Sequence, residues 1–74
     1  MTIRQFFDTP FNKDIGSWDV SRVNVMNNMF NRNSVFNQDL SSWSVTNVYN
    51  CESFSIGITS WTLPKPNFTN CNPN

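Results

Sequence analysis

Alanine and histidine are absent from this chain, leucine occurs only as Leu40 and Leu63, and glycine only as Gly16 and Gly57. Each gap excludes something. Without alanine, and with so little leucine, the strongest helix formers are missing and a helical bundle is disfavoured. Without histidine, no Ser-His-Asp triad and no His-based general base can be built. Two glycines cannot supply a phosphate-cradling loop. Apolar runs are very short, so nothing inserts into a bilayer. Five basic residues against five acidic ones give a net charge of zero, which removes the electrostatic case for nucleic acid or an anionic membrane. The stretch Met1–Phe7 lacks the apolar segment and small-residue cleavage site of a signal peptide.

The 74 residues are nevertheless 38% hydrophobic and 15% aromatic, more than a disordered tail carries. A chain of this size is one small domain or a fragment of a larger one, burying only about 60% of its unfolded surface. Asparagine is the commonest residue, and it joins serine and threonine in a turn-prone composition.

The chain repeats. Phe11-Asn-Lys-Asp-Ile-Gly-Ser-Trp-Asp-Val20 lies over Phe36-Asn-Gln-Asp-Leu-Ser-Ser-Trp-Ser-Val45 without a gap, and Val23 lies over Val48, all at an offset of 25. The same offset sets Trp61 under Phe36 and Phe68 under Trp43 in a degenerate third copy. Residues 1–10 read as the remnant of a preceding repeat, 11–35 as repeat 1, 36–60 as repeat 2, and 61–74 as a partial repeat and C-terminal cap. Within a unit, Val20, Val23, Met26 and Met29 step by three, as on a helical turn, whereas the step around Trp18 and Trp43 falls to two, as in a strand. The many asparagines keep any helix short. The expectation is an α/β repeat solenoid, each coil burying its inner face on its neighbours.

The pattern Phe-Asn-x-Asp-Ile/Leu-x-Ser-Trp-x-Val-Ser/Thr-x-Val, followed by Met26-x-x-Met29-Phe30, resembles the repeat of the BspA-like leucine-rich-repeat bacterial surface proteins. The likeness runs from Phe11 to Trp61 and extends to the family's closing segment through Cys51 and the Trp61–Cys71 ending. It implies a right-handed leucine-rich-repeat-like coil with small parallel strands and short helices or turns. It also implies an extracellular or cell-surface protein serving adhesion or partner binding. Ser44 stands where the pattern has Asp beside the tryptophan.

Candidate sites follow from the register. Asp14 and Asp39 would stack roughly 5 Å apart, close enough to share a proton or bracket a calcium ion. The alternative, which we expect, is that each accepts backbone amides of its own turn, leaving no catalytic residue, metal or cofactor. Asn12 and Asn37 are expected to form a hydrogen-bonded ladder along the stack. Trp18, Trp43 and Phe68, with Phe11, Phe36 and Trp61, are expected to be an internal aromatic stack, because exposed recognition residues have no reason to repeat so strictly. Cys51 sits in the core slot of Met26 and Cys71 in the tail; they are read as a disulfide, with free buried thiols as the alternative.

The two ends differ. Pro64 and Pro66 discourage further strand pairing, and residues 61–74 read as a cap. At the other end Phe6, Phe7, Phe11 and Ile15 lead straight into the first coil and are assigned to self-association or to a protein partner. The expected role is a non-catalytic scaffold, the terminal part of a bacterial surface protein. The alternative is a self-associating structural protein forming a dimer, fibre or shell. With a cap at one end only, a closed pair through like ends is favoured over an endless fibre.

Overall fold

Most of the steps of three are closed by their own hydrogen bonds. In the computed structural model, which describes residues 6–74, the N–H of Trp18 donates to the carbonyl of Ile15 and that of Val23 to Val20. Met29 likewise donates to Met26 and Asn33 to Phe30. Repeat 2 copies all four: Trp43 to Leu40, Val48 to Val45, Phe54 to Cys51 and Ile58 to Ser55. An i+3 amide bonded to an i carbonyl is a β-turn, and a turn returns the chain inward every third residue. Both ends of each turn can therefore be apolar and buried while its centre faces water.

The expected α/β solenoid of strands and helices is not what forms. Among the described residues there is no helix, and strand pairing is limited to one isolated parallel bridge, Val25 with Asn50. The reason lies in the backbone. Asn28 (φ 61°) and Ser53 (φ 57°) occupy equivalent corners with positive φ, as do Arg32 (φ 67°) and Gly57 (φ 77°). A left-handed residue at the third position of a turn prevents the next turn from continuing as a helix. A step of three is thus ambiguous between a helix and a run of turns, and the left-handed corners at Asn28, Arg32, Ser53 and Gly57 decide for turns. Extents of 26 × 22 × 19 Å describe a small globule rather than a rod.

Repeats are joined by backbone bonds in register. Met26, Asn28 and Phe30 donate to the carbonyls of Asn50, Glu52 and Phe54, while Tyr49 donates to Asn24 and Leu40 to Pro64. Nearer the N-terminus, Asp8 donates to Asn31. The described part of segment 1–10 thus lies along the 30–33 corner, with Asp8, also left-handed (φ 54°), forming an exposed ion pair with Arg32 at 3.9 Å. Residues 1–5 of that segment lie outside the described residues.

The core pairs by repeat: Ile15 with Leu40, Val20 with Val45, Val23 with Val48, Met26 with Cys51, Met29 with Phe54, and Phe36 with Trp61, all buried. The aromatic stack differs from the expected one. Trp18, Trp43 and Phe68 make no ring contacts with one another among the described pairs. The rings gather instead around Phe30, which stacks on Phe36 at 4.1 Å and on Phe6 at 5.5 Å and meets Phe54 and Trp61 edge-on. Phe11, Phe36 and Trp61 form a column, with centroids 6.0 and 4.8 Å apart. Phe68, half-buried, meets Phe54 edge-on at 4.9 Å.

Candidate functional site

Asparagine carries the stack from one repeat to the next. The Asn12 side-chain oxygen accepts the Asn37 N–H at 2.9 Å, and the Asn37 oxygen accepts the Thr62 and Leu63 N–H groups at 2.8 and 2.9 Å. The ladder is therefore side chain to backbone, not amide to amide, and it ends where threonine replaces asparagine. Thr62 offers only its hydroxyl to the Asn37 amide nitrogen, at 3.3 Å. Asn47 donates its amide to the Ser21 carbonyl at 2.8 Å, and Asn70 donates to the Thr46 carbonyl one repeat on.

Asn33 was not singled out by sequence, yet it is the one buried polar residue among those described, at 0% exposure. Its oxygen accepts the Val35 and Phe36 N–H groups at 3.1 Å each, and its nitrogen donates to the Phe11 carbonyl at 3.0 Å. The equivalent residue in repeat 2 is Ile58. The only signal in the sequence was the asparagine two residues before an apolar pair.

The acidic residues are occupied locally. Asp14 accepts the Gly16 N–H, Asp19 accepts the Ser21 N–H and hydroxyl, and Asp39 accepts the Ser41 N–H and hydroxyl. The hydroxyl first, and then the amide, hold the Asp19 and Asp39 carboxyls below the ordinary carboxylate value. No group of three or more metal-ligating residues occurs among those described. A shallow groove of about 380 Å³ beside Phe54, Ile56, Ile58, Pro66 and Phe68 is mainly apolar. Lys65 at its rim bonds the Trp61 carbonyl and lies over the Trp61 ring.

Cys51 and Cys71 form a disulfide, with a Cα–Cα distance of 5.9 Å. Cys51 is fully buried in its core slot, so the bridge ties the tail to the inside of repeat 2.

The two tryptophans of the repeat are not equivalent. Trp43 is 4% exposed and its indole N–H donates to the Ile15 carbonyl, one repeat earlier, at 3.0 Å. Trp18 is 41% exposed, touches Phe6 at 5.9 Å, and has no acceptor for its indole N–H among the described residues. The assignment of Trp18 to an internal stack is therefore corrected: among the described residues only the Phe6 ring pairs with it, and it stays exposed. The self-association set is corrected as well. Phe6 and Ile15 are core residues, Phe11 is half-buried, and only Phe7, at 40%, is exposed. Phe6 turns inward because the Phe11 and Phe30 rings take it between them. Among the described residues near this end, the exposed aromatics are thus fewer than the sequence suggests: Phe7 and Trp18.

No helix among the described residues is long and apolar enough to cross a membrane. No curated protein and no solved structure matches the sequence. The family described as Mycoplasma protein of unknown function, DUF285, matches residues 1–71, and the chain belongs to that family.

Proposed function

We propose that the chain is a non-catalytic, protein-binding scaffold of an extracellular or surface protein, and that its contact runs through the N-terminal end. One observation carries the reading. Trp43 is buried and hydrogen-bonded to the repeat before it, whereas Trp18 is exposed and its indole N–H has no acceptor among the described residues. An aromatic ring with an unmet N–H at the open end of a stack is the kind of anchor protein interfaces use. Membership of a family without an assigned activity is compatible with a scaffold, as is the local engagement of Asp14, Asp19 and Asp39. The disulfide supports an oxidising location.

A second copy is the partner at hand, and with the C-terminal end covered by residues 61–74 a closed pair through like ends follows. Light scattering on the purified 74-residue chain tests this. A dimer is expected, becoming a monomer in a Phe7→Asp, Trp18→Asp variant that keeps the wild-type far-ultraviolet spectrum. A wild-type monomer at high concentration would refute it.

A further inference from the structure

Like ends bury rings, but they bring together two Trp18 indoles, each a donor that lacks an acceptor. The complementary face lies at the other end of the same molecule, under the C-terminal segment. Where repeat 2 sits on repeat 1, the Asn12 oxygen takes the Asn37 N–H, the Ile15 carbonyl takes the Trp43 indole, and the Ser21 carbonyl takes the Asn47 amide. One repeat on, the matching acceptors are the Asn37 oxygen, the Leu40 carbonyl and the Thr46 carbonyl. The C-terminal segment takes the first with Thr62 and Leu63 and the third with Asn70. It leaves the second incomplete. Position 68 is phenylalanine, whose side chain has no N–H to give, so the Leu40 carbonyl receives only the turn amide of Trp43 among the described residues. One end of the molecule has an indole without its carbonyl, and the other has a carbonyl without its indole.

We propose that residues 62–74 are a removable plug over a docking face for the N-terminal end of a second copy, and that the Cys51–Cys71 disulfide locks it. The inference rests on the N-terminal end being a contact surface, as argued above. In the docked pair the incoming Asn12 N–H meets the Asn37 oxygen, the incoming Trp18 indole meets the Leu40 carbonyl, and Arg22, the counterpart of Asn47, reaches the Thr46 carbonyl. The unlocking step is thiol–disulfide exchange: two equivalents of a small thiol become its disulfide, and Cys51 and Cys71 become two thiols. Without the bridge, the plug holds by the Thr62, Leu63 and Asn70 hydrogen bonds, by the Leu40 N–H donated to the Pro64 carbonyl, and by the buried Pro66 and half-buried Phe68 rings, while its prolines donate nothing. A contact between unlike faces leaves each copy a free end for the next, so assembly proceeds head to tail beyond a pair.

The test is sedimentation velocity of the full chain, oxidised and in dithiothreitol, up to about 1 mM, the effective concentration a tethered plug commands. The reduced chain is expected to form a concentration-dependent series of species beyond a dimer, and the oxidised chain is not. Reduced Trp18→Ala should lose the series. Reduced Phe68→Trp, which gives the plug its own indole for the Leu40 carbonyl, should suppress it while melting as a folded protein. A reduced chain no larger than the oxidised one overturns the proposal, and so does a series that persists unchanged in Trp18→Ala. An oxidised dimer that stays a dimer on reduction defeats only this inference. An oxidised monomer that assembles on reduction through Trp18 defeats only the pairing of like ends.

Discussion

Replacing Asn33 by isoleucine, the residue found at the equivalent position 58, separates the two things that position could be. If it were merely an apolar slot, Asn33→Ile would be neutral or stabilising. The structure assigns it three bonds instead: two accepted from Val35 and Phe36 and one donated to Phe11, with the side chain fully buried. Each such bond is worth about 0.5–1.5 kcal/mol net, and a buried amide or carbonyl left unpaired costs about 1–3 kcal/mol. The Phe36 N–H and the Phe11 carbonyl would both be orphaned between the repeats, whereas the Val35 amide adjoins a partly exposed residue and has access to water. The expected loss is about 2–4 kcal/mol. A domain of this length has roughly 4–11 kcal/mol in all. Urea unfolding followed by tryptophan fluorescence should therefore show a much lower midpoint with an unchanged slope. An Asn33→Ile midpoint equivalent to within about 0.5 kcal/mol of wild type would refute the reasoning, since substitutions at that level are ordinary surface noise.

Three further outcomes are expected. Trp43→Ala should cost about 3–5 kcal/mol, since it empties a buried site and takes one of its two hydrogen bonds from the Ile15 carbonyl, while Trp18→Ala should cost about 1–2 kcal/mol; equal costs would contradict the different burial of the two. Gly57→Ala should lose about 1 kcal/mol although a Cβ there meets no atom within 4 Å, and Ser53→Gly should gain about 0.5 kcal/mol, both because of positive φ; calorimetric melting with the opposite signs would show that the corners are not left-handed. The folded Asp19 and Asp39 carboxyls titrate below their unfolded values, so the stability they contribute is present above about pH 4 and is lost as pH falls through the lower, folded values. Ser41→Ala should raise the Asp39 pKa, read by carbon-detected NMR titration, and an unmoved value would remove the hydroxyl as its cause.

The repeat and its inward-facing residues were legible because burial demands a fixed register, and the pairs from Ile15 with Leu40 to Phe36 with Trp61 follow the sequence offset. The local conformation was not legible, because Val20, Val23, Met26 and Met29 satisfy a helical step and a run of turns equally well. What separates the two is the sign of φ at Asn28, Arg32 and Ser53, and only asparagine announces it in advance. Strict recurrence of Trp18 and Trp43 misled for another reason. A repeat records what each unit would bury between neighbours, and the described residues cover Trp43 but not Trp18. Phe6 misled in the opposite sense: an aromatic near a chain end looks exposed until a partner such as Phe30 is known. Asn33 could not be found from the repeat because its counterpart is apolar, so its role is written in one copy only.

The central claim is that the Trp18 end is the contact surface, and the three indole N–H signals of the oxidised chain test it most directly. Trp43 and Trp61 donate to the carbonyls of Ile15 and Gln38, and Trp18 has no such acceptor among the described residues. In a ¹⁵N-resolved NMR concentration series, the account predicts that the Trp18 indole signal alone shifts, gaining protection from solvent exchange as the protein is concentrated, while the other two stay protected and still. A Trp18 signal that neither moves nor becomes protected at any concentration, or three signals that move together, would contradict it.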